Sequence, residues 1–350
     1  MARLRRVDCS GPGITRRRRG RGFEYLDEEG KRLGDPEALD RIRSLTIPPA
    51  WKEVWICPYP TGHIQATGVD AAGRKQYIYH PRWRERRDQE KFEEMIGFAR
   101  ALPRMREAVA ADLRREDMPR ERVLACAVRL LDRGFVRVGG EAYAAENDSY
   151  GLATIHKRHV TVTGDRVKLD YRSKSGMRRV QEIVDADAAP VVEGLKRRRG
   201  GSPELLAFKR DGRWQDVKST DINEYLKDLT GGDFTAKDFR TWNATVLAAV
   251  ALAVSGPVAT SRTARKRAVT RAVKEVAHYL GNTPAVCRAS YIDPRVFDRY
   301  EGGLTIGGAL PELGGGRDDG SEELSIQGPI EEAVIDLLAH DDTPAIERVA

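Results

Sequence analysis

The spacing of apolar residues changes twice along this chain, and those changes limit its architecture more than any single residue does. Between Phe23 and Arg82, short apolar and aromatic runs (FEYL, EVWICPYP, HIQATGVD, QYIYHP) are broken by glycine and proline, the pattern of strands joined by turns. The period then lengthens to that of a helix. Phe92, Met95, Ile96 and Ala99 share one face, and Met105, Val109 and Leu113 follow beyond Pro103, where a break is expected. ERVLACAVRLLDR predicts another helix, stopped by Gly134. Alternation returns over 158–184, where HVTVT, RVKLDYR and MRRVQEIV are separated by turns at Gly164-Asp165 and Ser173–Gly176. That is a three-stranded antiparallel unit within a helical domain.

Helices are expected again at DINEYLKDL, capped by Ser219 or Thr220, and at AKDFRTWNATVLAAVALAV, where Thr235 and Asp238 form a capping-box start. SRTARKRAVTRAVKEVAHYL runs from a capping Ser261 to Gly281, and Thr283-Pro284 opens a short helix carrying Tyr291. The fold class is α+β: a small strand-rich N-terminal domain and a mainly α-helical second domain containing a three-stranded antiparallel sheet. The predicted organisation is a basic mobile arm over 1–22, a β-rich domain over 23–85, a helical domain over 86–302, and a Gly-rich linker with an acidic helix over 303–350.

Charge is distributed unevenly. Residues 301–350 hold twelve acidic and two basic side chains, so the formal +7 of the 350-residue chain conceals an excess of +17 over residues 1–300. An excess of that size suits a protein that displaces counterions from a phosphate backbone. The first 22 residues alone hold eight arginines. Cys9, Cys57, Cys126 and Cys287 have neither disulfide-framework nor metal-site spacing. The N-terminal segment lacks an apolar signal core and the longest apolar stretch, near Val246–Val254, is too short to cross a bilayer. A soluble, cytoplasmic protein without a membrane partner is expected.

There is no G-x-x-x-x-G-K-[ST] loop, no dinucleotide fingerprint, no H-E-x-x-H and no tight aspartate cluster. Nothing in the sequence calls for a cofactor or a metal, so phosphoryl chemistry here would rest on cationic side chains. Four segments supply them. FVRVGGE puts Arg137 in a glycine-relieved turn after a helix stop, where a guanidinium can approach phosphate closely. YRSKSGMRR puts Lys174 at a hairpin tip. TAKDFRTWN puts Lys237 and Arg240 at i and i+3 on one face of a helix, with Lys237 near its N-terminus. GNTPAVCRASYIDP puts Tyr291 two turns beyond Pro284. Taken singly, such residues are usually surface cations or a packing tyrosine.

In their order and context the segments carry more. GRKQYIYHPRW, FVRVGGEAYAAENDSYGLATI, YRSKSGMRR, TAKDFRTWNA and LGNTPAVCRASYIDP resemble a bacterial, poxvirus-like type IB DNA topoisomerase, a family also called eukaryotic-like, over about Phe23 to Pro294. The resemblance implies the tyrosine recombinase/type IB topoisomerase catalytic fold in a C-shaped clamp around duplex DNA, acting as a monomer on supercoiled DNA of the nucleoid. It implies Tyr291 as nucleophile, Arg137 and Arg240 on the nonbridging phosphate oxygens, and Lys174 as general acid for the 5′-oxygen. Asn282, nine residues before Tyr291, stands where many relatives carry histidine; an amide can donate to a phosphoryl oxygen but brings no charge. Gln76, Tyr77 and Tyr79 resemble the family's major-groove loop, and Tyr143 and Lys237 are further phosphate contacts by the same likeness.

Two other classes compete. A tyrosine site-specific recombinase shares the arginine, lysine and tyrosine chemistry, but normally carries His three residues before its second arginine, where this chain has Lys237, and a helical N-terminal domain. A non-catalytic DNA-binding protein would account for the charge but not for a tyrosine box matched to arginine and lysine boxes.

Overall fold

The computed structural model describes residues 3–255, 261–312, 326–339 and 346–348. Two compact units divide after Phe92.

In the first unit, β1 (Ile14–Arg19), β2 (Gly22–Leu26), β3 (Lys52–Ile56), β4 (Ile64–Val69) and β5 (Lys75–Tyr79) form one antiparallel sheet in the order β2-β1-β3-β4-β5. Helix α1 (Pro36–Ser44) is capped by Asp35 and buries Ile42 against Ile14, Val54, Ile56 and Ala66. The sheet corrects the expectation of a mobile arm over 1–22. Ile14 is buried, and Arg16 donates to the carbonyls of Ile47, Pro48 and Trp51 at 3.2, 3.0 and 2.7 Å. Arg17 pairs with Glu24 directly across the ladder, Nε to Oε1 2.7 Å. Further upstream, the Arg5 N–H donates to Thr61 O and its carbonyl accepts from His63 N, each at 2.9 Å. A count of arginines signals disorder, whereas alternation after Ile14 lets the same arginines satisfy carbonyls and a cross-strand acid.

Helix α2 (Pro81–Leu113) runs through Pro103 without the expected break. Phe98, Leu102, Met105, Val109 and Leu113 are buried along it. At roughly 1.5–3 kcal/mol each, their burial outweighs a proline cost of about 3 kcal/mol.

The second unit continues with α3 (Arg120–Gly134), α4 (Glu141–Asn147) and the sheet β6 (Val160–Thr163), β7 (Arg166–Arg172) and β8 (Arg178–Val184), paired antiparallel in that order. Next come α5 (Ala188–Arg197), the hairpin β9 (Ala207–Arg210) and β10 (Arg213–Asp216), and α6 (Ser219–Thr230). Helix α6 starts differently from expectation: Lys218 is its cap position, and its N–H donates to Asp221 Oδ2 at 2.8 Å.

Helices α7 (Ala236–Val254) and α8 (Arg262–Leu280) pack together, α7 at the centre with Phe239, Trp242 and Val246 fully buried. Asp238 accepts from Thr235 N at 2.8 Å at the start of α7, and Ser261 accepts from Ala264 N at 3.1 Å at the start of α8. Helices α9 (Pro284–Ser290) and α10 (Pro294–Glu301), strand β11 (Leu304–Thr305), helix α11 (Pro329–Ala339) and strand β12 (Glu347–Arg348), paired with β11, complete the unit.

Part of the expected linker and acidic segment, 313–325 and 340–345, lies outside the described residues. The described α11 is docked, with Ile330, Ala333, Val334, Leu337 and Leu338 buried. Their i, i+3, i+4, i+7, i+8 spacing is the apolar stripe of a packed helix.

Candidate active site

The site grows from the C-terminal end of α8. Gly281 takes the left-handed conformation, φ 62°, and the N–H groups of Gly281 and Asn282 return to the carbonyls of His278 and Ala277. This closes the helix and leaves its last carbonyls pointing outward at the negative pole of the helix dipole. Three arginines from three other elements occupy them. Arg137, after α3, donates through Nη2 to Gly281 O at 3.1 Å. Arg240, on α7, donates through Nη2 to Leu280 O at 2.9 Å. Arg179, on β8, donates to His278 O at 3.4 Å and to Tyr279 O.

Arg240 and the segment carrying Arg137 are also held from their own side. Helix α3 ends with Phe135 in the left-handed conformation, φ 52°, and Phe135 O accepts from Arg240 Nη1 at 2.5 Å. The Arg137 segment lies against 151–153: Leu152 N donates to Arg137 O at 2.8 Å and Ala153 N to Val138 O at 2.7 Å. Glycine is required there. A Cβ on Gly151 would sit 2.4 Å from Gly139 Cα, and Gly139 itself has φ 83°. Arg240 is 4% exposed, and burial with Arg137 nearby pushes its guanidinium down to about 10, while Tyr291 pulls it back up. It is therefore charged at neutral pH.

Asn282 and Tyr291 follow from α8. Arg137 Nη2 donates to Asn282 Oδ1 at 2.5 Å, which fixes the amide so that Nδ2 is the free donor. Thr283 caps α9 by accepting from Val286 N, and Pro284 follows in the first turn. The helix ends at Ser290, so Tyr291 is its C-terminal cap residue and not part of its second turn. Tyr291 N donates to Cys287 O at 3.0 Å, and Thr245 on α7 ties the Tyr291 carbonyl and Asp293 N to the helix that carries Arg240. The Arg240 guanidinium lies 5.2 Å from the centre of the Tyr291 ring. Among the described residues, Arg240 Nε and Asn282 Nδ2 are buried donors without an acceptor. Orphaned buried donors at one place mark a site built for an anion.

Arg137, Arg240, Asn282 and Tyr291 are thus brought together. Lys174 is not joined to them by any hydrogen bond or ion pair among the described residues. It lies exposed in a single helical turn between β7 and β8, where Ser173 N donates to Met177 O at 2.7 Å and Ser175 has φ 65°. Lys237 is exposed on the first turn of α7. Tyr143 is half-buried on α4, its carbonyl accepting from Asn147 Nδ2 at 3.0 Å. Sequence reasoning missed Arg179 as a member of the cluster. Its place two residues after Met177 in the quoted hairpin was the only signal, and the carbonyls that it meets are a hundred residues distant in sequence.

In the first unit, Lys75, Tyr77 and Tyr79 lie on one face of β5, an edge strand, with the two rings stacked 6.0 Å apart at 14° and 40% and 38% exposed. Gln76 points to the other face, where its amide donates to Asp70 Oδ2 at 2.9 Å.

A tyrosine beside a buried guanidinium, with a second arginine and an amide bonded to each other nearby, is a cationic cluster of the kind that suits an anionic ligand. Comparison with known proteins gives the family. Residues 80–303 match the catalytic core of eukaryotic DNA topoisomerase I, and residues 22–70 match the N-terminal domain of bacterial DNA topoisomerase IB. The chain is 30% identical over 294 residues to DNA topoisomerase 1B of Acanthamoeba polyphaga mimivirus, covering 83% of this chain and 88% of the relative. It is 19% identical over 231 residues to DNA topoisomerase 1B of vaccinia virus (strain Copenhagen), covering 66% and 70%. The chain belongs to the type IB DNA topoisomerase family.

Proposed function

We propose that this protein relaxes supercoiled duplex DNA by cutting one strand and resealing it, with Tyr291 as the nucleophile. The observation that carries the reading is Arg240, its guanidinium 5.2 Å from the centre of the Tyr291 ring and its buried Nε without an acceptor among the described residues, with Arg137 bonded to Asn282, whose Nδ2 is also an orphaned donor. The Tyr291 hydroxyl gives its proton to solvent as its oxygen attacks a backbone phosphorus. A 3′-phosphotyrosyl bond forms, the bond to the 5′-oxygen breaks, and that oxygen leaves as a hydroxyl. Arg137 and Arg240 hold the nonbridging oxygens as their charge grows, with Asn282 donating a third hydrogen bond. Lys174, on its exposed turn, delivers the proton to the departing 5′-oxygen. The phosphotyrosyl ester retains the energy of the original bond, so the 5′-hydroxyl reverses the step without ATP.

Gln76, Tyr77, Tyr79, Tyr143 and Lys237 serve DNA contact in this reading. The protein acts as a cytoplasmic monomer on nucleoid DNA, with the β-rich unit, β1 included, ending at Phe92 and the catalytic unit following it.

The test is incubation with supercoiled plasmid in EDTA without ATP. Relaxed topoisomers are expected. Recombined products that require specific sites would instead indicate a recombinase, and a mobility shift without strand breakage would sink both enzymatic readings.

A further inference from the structure

Helix α11 lies beyond the matched catalytic core. It nevertheless inserts a carboxylate among the helices that carry the site. Glu331 is 7% exposed, and its oxygens accept from Arg106 at 2.5 and 3.0 Å, Trp242 Nε1 at 2.7 Å and Gly328 N at 3.2 Å. The same Arg106 guanidinium donates to Asp132 on α3 at 2.8 and 2.9 Å. Burial disfavours charge on Arg106, but the two carboxylates outweigh it and raise its pKa.

The geometry leads directly to the site arginines. Trp242 is two residues past Arg240 on α7, and Asp132 is five residues before Arg137 at the end of α3. Two other bonds join the same helix ends: Asn243 Nδ2 to Asp132 O at 3.0 Å, and Arg240 Nη1 to Phe135 O. An apolar residue would hold α11 in place at least as well, because a buried ion pair is seldom a net source of stability. What a carboxylate adds is direction: Oε1 accepts from Trp242 on α7 and from Arg106 on α2, Oε2 accepts from Arg106 and Gly328, and Arg106 in turn reaches Asp132 on α3.

We infer that Glu331 is a positioning residue: by bridging Trp242 to the Arg106–Asp132 pair it fixes α7 against α3 and so sets Arg240 relative to Arg137. The inference rests on the reading of those arginines as phosphate-holding groups.

The test uses the full-length protein and compares Glu331→Gln with wild type. With enzyme saturating over a DNA substrate that traps the covalent adduct, E331Q should slow adduct formation about 10-fold to 10²-fold, with DNA affinity within about twofold. In an Arg240→Ala background the same substitution should cost almost nothing further, because the group being positioned is gone. An undiminished cost in that background overturns the inference, as does a normal adduct rate in E331Q.

A second readout needs no activity. The Arg240 Nε–H resonance of the DNA-free protein should shift in E331Q, and an unshifted resonance in a folded E331Q protein also overturns the inference. If wild-type protein forms no Tyr291-dependent adduct, the proposed function falls, and this resonance alone decides whether Glu331 positions Arg240. Should E331Q prove unstable, Trp242→Phe removes one arm of the bridge and is judged by the same rate and resonance.

Discussion

The candidate site holds its arginines and its two lysines in opposite ways. Arg137, Arg179 and Arg240 are anchored to the carbonyl end of α8, and the first and third are also fixed to Asn282 and Phe135. Lys174 and Lys237 are exposed and make no ion pair with an acid among the described residues. The difference follows from chemistry. A planar guanidinium can bond a carbonyl with one nitrogen and keep others for a ligand, whereas an ammonium is a compact point charge on a flexible stem. In the proposed mechanism, the charge that awaits the transition state is the anchored one, and the charge that delivers a proton, Lys174, is the exposed one.

That contrast can be broken experimentally. Arg240→Ala removes a buried donor and leaves Phe135 O and Leu280 O without their partner, so adduct formation should fall by about 10³-fold. Arg240→Lys should recover little, because one ammonium cannot replace the fork; full recovery would show that only the charge matters. Lys174→Ala should slow cleavage by about 10²-fold, and a substrate with a sulfur 5′-leaving group, which needs no proton, should restore the rate. Failure of that rescue would remove Lys174 as the acid.

Smaller effects sharpen the same comparison. Gly151→Ala forces a Cβ onto Gly139 and should destabilise by about 1–3 kcal/mol, seen as a lower melting temperature, while slowing cleavage through the displaced Arg137 segment. Unchanged stability would mean that the close approach relaxes freely. Lys237→Ala should leave the adduct rate nearly unchanged and reduce the salt slope of DNA binding by about one. A catalytic loss comparable to that of Lys174→Ala would place Lys237 in the chemistry.

The sequence made the elements legible where periodicity and caps agree. The three-stranded sheet, the capped starts of α7 and α8 and the glycine end of α8 all follow from local rules. Arg137, Lys174, Arg240 and Tyr291 could be singled out because their segments occur in a telling order. What was not legible depends on partners distant in the chain. Arg16 reads as part of a charged run until its three carbonyl acceptors, 31 to 35 residues away, are in place. Arg179 needs the end of α8, and Glu331 needs Arg106, 225 residues upstream. Composition records charge but not its acceptors, and for these residues the acceptors decide the role.

The central claim is that the strand is transferred to Tyr291. A duplex labelled at the 5′ end of the cleaved strand is incubated with protein, quenched with SDS, and the labelled peptide mapped. The account predicts label on the peptide containing Tyr291, a free 5′-hydroxyl on the other fragment, and no labelled protein from Tyr291→Phe despite retained DNA binding. Label persisting in Tyr291→Phe, or wild-type protein left unlabelled because it holds the downstream fragment through its 5′-phosphate, would contradict it.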